Sequence, residues 1–162
     1  MSCLARGNAA AEAALVSAEV RGVETLESCL ATDFIRLQRK ATFVTSALIL
    51  SDDADAAALA AYYGRLAPIL VAQAETSGDI DLRENTVKAL TTFANRGFGE
   101  SIKEEYGARL DAVMALCEAR SKGAGTPMAG AAAGGPVFDE DENGENATAE
   151  LSLWAELRAA LK

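Results

Sequence analysis

Arg36, Arg39 and Lys40 place three bases within five residues, and Phe43 follows them. On a helix Arg36, Lys40 and Phe43 stand at i, i+4 and i+7 and share one face. A cationic patch beside an aromatic ring suits binding rather than bond-making, because it fits an acidic protein surface and steers the encounter. The sign reversal is local: the whole chain has 15 bases against 24 acids, a net charge of −9. A plainer reading is open at the same residues. It is a solvated helix start whose aliphatic stems cover the core while the charges stay wet. A second set, Arg83, Glu84, Asn85 and Lys88, recurs on a later segment with the same two readings. Bases in a first turn oppose the helix dipole, so Arg36 and Arg83 there suggest a use outside their own helices.

Other chemistries are harder to find. The chain has no histidine, which removes Ser-His-Asp and Cys-His nucleophile systems and every His-ligated zinc site. The acids Asp52, Asp53 and Asp55, Glu104 and Glu105, and the run from Asp139 to Glu142 read as first-turn acids matching helix dipoles, or as a solvated tail. Acid/base catalysis needs two carboxyls in one cleft with separated pKa values. Phosphate-cradling glycine motifs are missing, and Gly97-Phe98-Gly99 reads as a link between two helices. The acidic run lacks the ligand spacing of a calcium loop. Cys3, Cys29 and Cys117 are scattered, form no CxxC and read as reduced thiols. The expectation is therefore a non-enzyme with no cofactor and no metal. Acidity argues against nucleic acid and anionic membrane as partners. No apolar run is long enough to span a bilayer. The first residues lack a secretory signal, so a cytoplasmic location is expected, or the endoplasmic-reticulum lumen if a leader precedes them.

What positions these residues is helix. Half of the chain is hydrophobic, only 6% is aromatic, and about a fifth is alanine, the best helix former. Gly22, Gly64 and Gly107 lie 42 and 43 residues apart, each between two helical segments, and two longer helical segments with matching patterns sit between successive glycines. A period of roughly 42 residues with three helices per unit is an armadillo-type signal. The predicted helices are 8–19, 22–31 and 34–50, then 53–63, 65–76 and 80–95, then 99–106 and 108–121. Asp33 and Asp79 stand where N-caps are wanted, and Pro68 is expected in a first turn. Matching Ala47-Leu48 with Thr92-Phe93 offsets the two long helices by 45 residues and sets Asn85 and Lys88 on the face of Lys40. Leu37, Ala41, Val44 and Leu48 form the opposite, core stripe. Leu26, Leu30, Leu66, Ile69, Leu70, Leu90, Phe93, Leu110, Val113 and Leu116 are further core candidates.

The fold expected is all-α: an armadillo-like right-handed superhelical solenoid over 1–122, with about two complete three-helix repeats plus partial units. Residues 123–146 read as a flexible Gly/Ala-rich acidic linker. Residues 147–162 read as an amphipathic helix that docks back through Leu153, Trp154, Leu157 and Leu161. Met1 to Arg6 look like the tail of a helix, so the chain is expected to be a C-terminal portion of a longer array.

The segment Ser2-Cys3-Leu4-Ala5-Arg6-Gly7-Asn8, then Gly22-Val23-Glu24-Thr25-Leu26, then Leu37-Gln38-Arg39-Lys40-Ala41-Thr42-Phe43 resembles the armadillo-type nucleotide exchange factors of seventy-kilodalton heat-shock (DnaK-family) chaperones, of the Fes and Hsp-binding-protein type. The resemblance covers residues 1–120. It implies a noncatalytic co-chaperone and a monomer. Its concave face would wrap one lobe of the chaperone's ATPase domain and loosen ADP. The partner-binding residues it implies are Arg36, Arg39, Lys40, Phe43, Arg83, Glu84, Asn85 and Lys88. The alternative is a generic armadillo or HEAT scaffold with no chaperone link. The asparagine ladder of peptide-gripping grooves is missing, since Lys40 and Asn85 occupy those positions.

Overall fold

A computed structural model describes residues 22–50, 56–123 and 140–162. Six α-helices lie among these residues: α1 (Gly22–Leu30), α2 (Ile35–Leu50), α3 (Ala56–Thr76), α4 (Ile80–Phe93), α5 (Gly99–Gly123) and α6 (Glu140–Ala160), with a π-helical turn at Ala94–Phe98. No strand occurs among the described residues, and none of their helices is long and apolar enough to cross a membrane. The predicted helix 8–19, the N-terminal Met1 to Arg6, Cys3, Asp52, Asp53, Asp55 and Asp139 lie outside the described residues.

Two of the three expected glycine turns do not form. Gly64 lies inside α3 and Gly107 inside α5. In α3 the buried positions Leu59, Tyr62, Tyr63, Leu66, Ala67, Leu70, Val71, Gln73 and Ala74 follow one unbroken helical stripe. Burying that stripe outweighs the roughly 1 kcal/mol that an interior glycine costs. Pro68 is accordingly in mid-helix, not in a first turn. Its missing N–H leaves the carbonyl of Gly64 unbonded within the helix, and both residues are exposed to water.

Asp79 caps α4 as expected, its carboxylate accepting from the Leu82 N–H at 2.8 Å. Asp33 does not cap α2. That helix starts at Ile35, and the Thr32 hydroxyl instead accepts from the Phe34 N–H at 3.4 Å. Beyond α4 the chain turns at Gly97, whose φ of 102° is open to glycine at little cost. Gly99 begins α5 against the end of α6, where a Cβ would meet the Ala160 carbonyl oxygen at 2.8 Å. Of the stretch expected as linker, 123–146, residues 140–146 are helical. Helix α5 runs to Gly123 and α6 starts at Glu140, leaving 124–139 outside the described residues.

The helices pack in two rows. Helices α1, α3 and α5 form one, with α3 against both others; α2, α4 and α6 form the second, with α4 against both others. Across the rows α1 packs on α2, α3 on α4 and α5 on α6. Burial repeats along each row. In the first, Gly22, Leu26 and Leu30 recur 44 residues on as Leu66, Leu70 and Ala74; Leu66, Leu70 and Gln73 recur as Leu110, Met114 and Cys117, and all are buried. In the second, Ala41, Thr42, Thr45, Leu48 and Ile49 recur 45 residues on as Thr86, Val87, Leu90, Phe93 and Ala94, again all buried. The 45-residue offset read from the sequence thus holds. The 42- and 43-residue glycine spacings do not mark equivalent positions.

Between the rows, Tyr63 stacks on Phe98 with ring centroids 4.7 Å apart, and Phe93 meets both edge-on at 5.7 and 5.9 Å. Helix α6 docks through Trp154 and Leu157, both buried. Two core candidates prove exposed. Leu116 lies on α5, the last helix of its row, and Leu37 on α2, the first described helix of the other.

Candidate protein-binding face

Of the exposed large hydrophobic side chains among the described residues, Phe34, Ile35, Leu37, Phe43 and Leu50 all lie on or immediately before α2; Leu116 lies elsewhere. Helix α2 buries Ala41, Thr42, Thr45, Leu48 and Ile49 on one side. Opposite them it turns out Arg36, Lys40, Phe43, Ala47 and Leu50, whose alternating four- and three-residue spacing keeps them on one stripe. Phe43 is 40% exposed and Leu50 63% exposed. The stripe is basic toward its start and apolar toward its end, and α2 contains no acid. Among the described residues Arg36 and Lys40 form no ion pair. The structure thus brings Arg36, Lys40 and Phe43 together on an open face, as the spacing predicts.

Arg39 does not join them. Its Nε donates to Asp79 Oδ1 at 2.9 Å, its Nη2 also bonds Asp79, and its Nη1 lies 2.6 Å from Asp81. It fastens α2 to the start of α4. The bond to Arg39 holds the Asp79 carboxyl below its ordinary value.

Arg83 departs further from expectation. It is 7% exposed, so it presents no face to a partner. Its Nε and Nη2 donate to the two oxygens of Glu150 at 2.7 and 2.8 Å, and its Nη1 donates to the Ser77 carbonyl at 2.9 Å. A guanidinium taken from water needs such a fork, because unpaired it would cost several kcal/mol. Burial alone would raise the Glu150 carboxyl. The bond and charge of Arg83, with help from the Cys117 thiol and the Trp154 indole, hold it below its ordinary value. Cys117 Sγ lies 3.5 Å from Glu150 Oε1. The remaining predicted residues lie on α4: Glu84 and Lys88 form an i, i+4 pair at 3.5 Å with Lys88 exposed, and Asn85 is half-buried.

These arginines follow a pattern that the sequence reading missed. Each row junction carries an arginine–carboxylate pair. Arg65 of α3 reaches Glu24 and Glu27 of α1 at 2.7 and 2.9 Å, and Arg109 of α5 reaches Glu75 of α3 at 2.7 and 2.6 Å. Arg39 ties α2 to α4, and Arg83 ties α4 to α6. The exposure of Phe34, Ile35 and Leu50 was missed as well. A signal for it was available, since Ile35, Leu37, Phe43, Val44, Leu48, Ile49 and Leu50 spread over too much of the helix for one buried stripe.

Elsewhere, a groove of about 240 Å³ runs between α5 and α6 over Leu110, Met114, Trp154 and Leu157. Beside it Arg158 faces Asp111 at 3.5 Å. Among the described residues no three potential metal ligands converge. Glu104 and Glu105 are both exposed on α5. No protein family, curated protein or solved structure matches the chain.

Proposed function

We propose that this chain is a noncatalytic protein-binding module, a short α-solenoid of the armadillo/HEAT kind, that presents the exposed face of α2 to a protein partner. The observation that carries the reading is the open stripe of Arg36, Lys40, Phe43 and Leu50 on a helix that contains no acid, in a chain of net charge −9. Large exposed apolar side chains gathered on one element mark interaction surfaces, and the adjoining bases give the face a sign to select by. Support for the solenoid comes from the two rows and their 44- and 45-residue recurrence of buried positions. With α3 and α5 each continuous, the unit is closer to a two-helix hairpin than to a three-helix repeat.

In its most specific form the partner is the ATPase domain of a seventy-kilodalton heat-shock chaperone, and the outcome of binding is ADP release. This form rests on the resemblance of residues 2–8, 22–26 and 37–43, which implies Arg36, Lys40 and Phe43 as contacts, and is supported by the exposure of those three side chains. The protein would act as a monomer in the cytoplasm, in keeping with the reduced thiols of Cys29 and Cys117. The second reading, a scaffold without a chaperone link, is favoured by Arg39 and Arg83, which serve the stack itself.

Release of a fluorescent ADP analogue from a purified chaperone ATPase domain, with and without the chain, separates the two. Faster release supports exchange. Unaltered release together with no binding in a titration removes the chaperone reading and leaves the scaffold.

A further inference from the structure

Helix α6 is held differently from the other helices. Residues 124–139 separate it from α5, whereas no other pair of successive helices lies more than five residues apart, as at 51–55 and 94–98. Over residues 148–162 the buried side chains are Glu150, Trp154 and Leu157, whereas α4 buries seven of its 14. The seat of α6 on α5 is also incompletely filled, since the groove over Leu110 and Met114 runs beside Trp154 and Leu157. An element with few buried contacts opens at a lower free energy than the rest of its fold.

The three buried side chains stand at i, i+4 and i+7, the anchor spacing by which an amphipathic helix lies in the groove of another protein. Each meets a specific group. Glu150 takes the Arg83 fork and lies 3.5 Å from Cys117 Sγ, while Trp154 and Leu157 line the groove with Leu110 and Met114. Both ions give up their water to pair, so the pair strengthens the contact less than its two short bonds suggest. A helix without a carboxylate at this position would leave Arg83 buried and unpaired, so the seat selects against it. The seat thus specifies an amphipathic helix with a carboxylate, a large aromatic ring and a leucine at these three positions. The sequence of α6 is acidic besides, with six acids against one base.

We infer that the surface of α4 and α5 under α6 is a helix-binding site, that the chain's own α6 occupies it as a displaceable latch, and that an acidic amphipathic helix of a partner protein with the same three anchors takes its place. The site is separate from the α2 face, so the inference goes beyond the proposed function and neither depends on the other.

Trp154 is the chain's single tryptophan and is 2% exposed, so its emission reports the seating of α6 while far-UV ellipticity reports all the helices. In urea, the red shift of the native chain's emission should have a lower midpoint than the loss of ellipticity, most of which should remain between the two. Coincident transitions would make α6 an inseparable part of the stack and overturn the inference. The second arm uses the full chain and a fluorescein-labelled peptide with the sequence of residues 147–162. Anisotropy should show weak binding to the native chain, where the tethered α6 competes at a millimolar effective concentration, and binding about tenfold or more tighter to the Glu150→Lys chain, whose own α6 sets a lysine against Arg83. A peptide carrying Glu150→Lys should bind neither chain. The inference is overturned by no saturable binding to the Glu150→Lys chain, by binding indifferent to the peptide's glutamate, or by loss from that chain of more helix than α6 holds. Sedimentation of the native chain as a dimer that Glu150→Lys dissociates would make a second copy the occupant and overturn the partner reading. Failure of the α2 face in its own binding test leaves each of these outcomes unchanged.

Discussion

The Arg83 guanidinium and the Glu150 carboxylate, 67 residues apart in the chain, meet through two bonds of 2.7 and 2.8 Å with both side chains 8% exposed. This pair joins α4 to α6 and fixes the last helix to the stack. Its removal should be asymmetric. Arg83→Ala or Glu150→Ala alone leaves a buried charge unpaired and should cost about 3–5 kcal/mol, whereas Arg83→Met with Glu150→Leu should be near neutral or stabilising. Urea denaturation of the three variants checks this, and a double variant as unstable as the singles would count against it.

Acid should loosen the stack at the same joints. The Glu150, Asp79 and Glu75 carboxyls are all held below their ordinary values, Asp79 and Glu75 chiefly by bonds to Arg39 and Arg109, and Glu150 by Arg83 against the effect of burial. A carboxyl depressed in the folded state contributes stability that is fully present above its unfolded value, near 4.5 for glutamate. That stability is lost as the pH falls through the lower folded value. The urea midpoint should therefore be flat from pH 7 to about 5 and fall steeply below about 4. In Glu150→Gln the starting midpoint should be lower and the acid fall shallower.

The glycines should divide into two classes. Gly64 and Gly107 lie within continuous helices with room for a methyl group, so Gly64→Ala and Gly107→Ala should each stabilise by about 0.5–1 kcal/mol. A turn at either position would give the opposite sign. Gly99→Ala forces a methyl onto the Ala160 carbonyl and should cost about 1–3 kcal/mol. Gly97→Ala should cost about 1–2 kcal/mol from its left-handed backbone. Thermal melts of the four variants rank them.

Helix content and the match between α2 and α4 were legible in the sequence because both depend on local periodicity. The 45-residue offset aligned apolar positions that the core then buries in register. The docking of Trp154 and Leu157 was legible for the same reason. Glycine misled, because a lone Gly64 or Gly107 costs too little to end a helix whose buried stripe continues past it. Arg39 and Arg83 were placed on the correct helices and assigned to the wrong neighbours. Their partners Asp79 and Glu150 lie 40 and 67 residues away, and spacing along one helix carries no information about a carboxylate on another. The exposure of Leu37 had the same origin: its spacing fits a packed stripe, and spacing along one helix does not show whether another helix covers it.

The α2 face is tested most directly by titrating a chaperone ATPase domain with the native chain and with Arg36→Glu/Lys40→Glu, beside thermal melts of both. The native chain should bind. The variant should bind about tenfold or more weakly, with a melting temperature within about 2 °C of native because both side chains lie on the surface. No binding by the native chain, equal binding by both, or a loss of binding matched by a loss of stability would contradict the account.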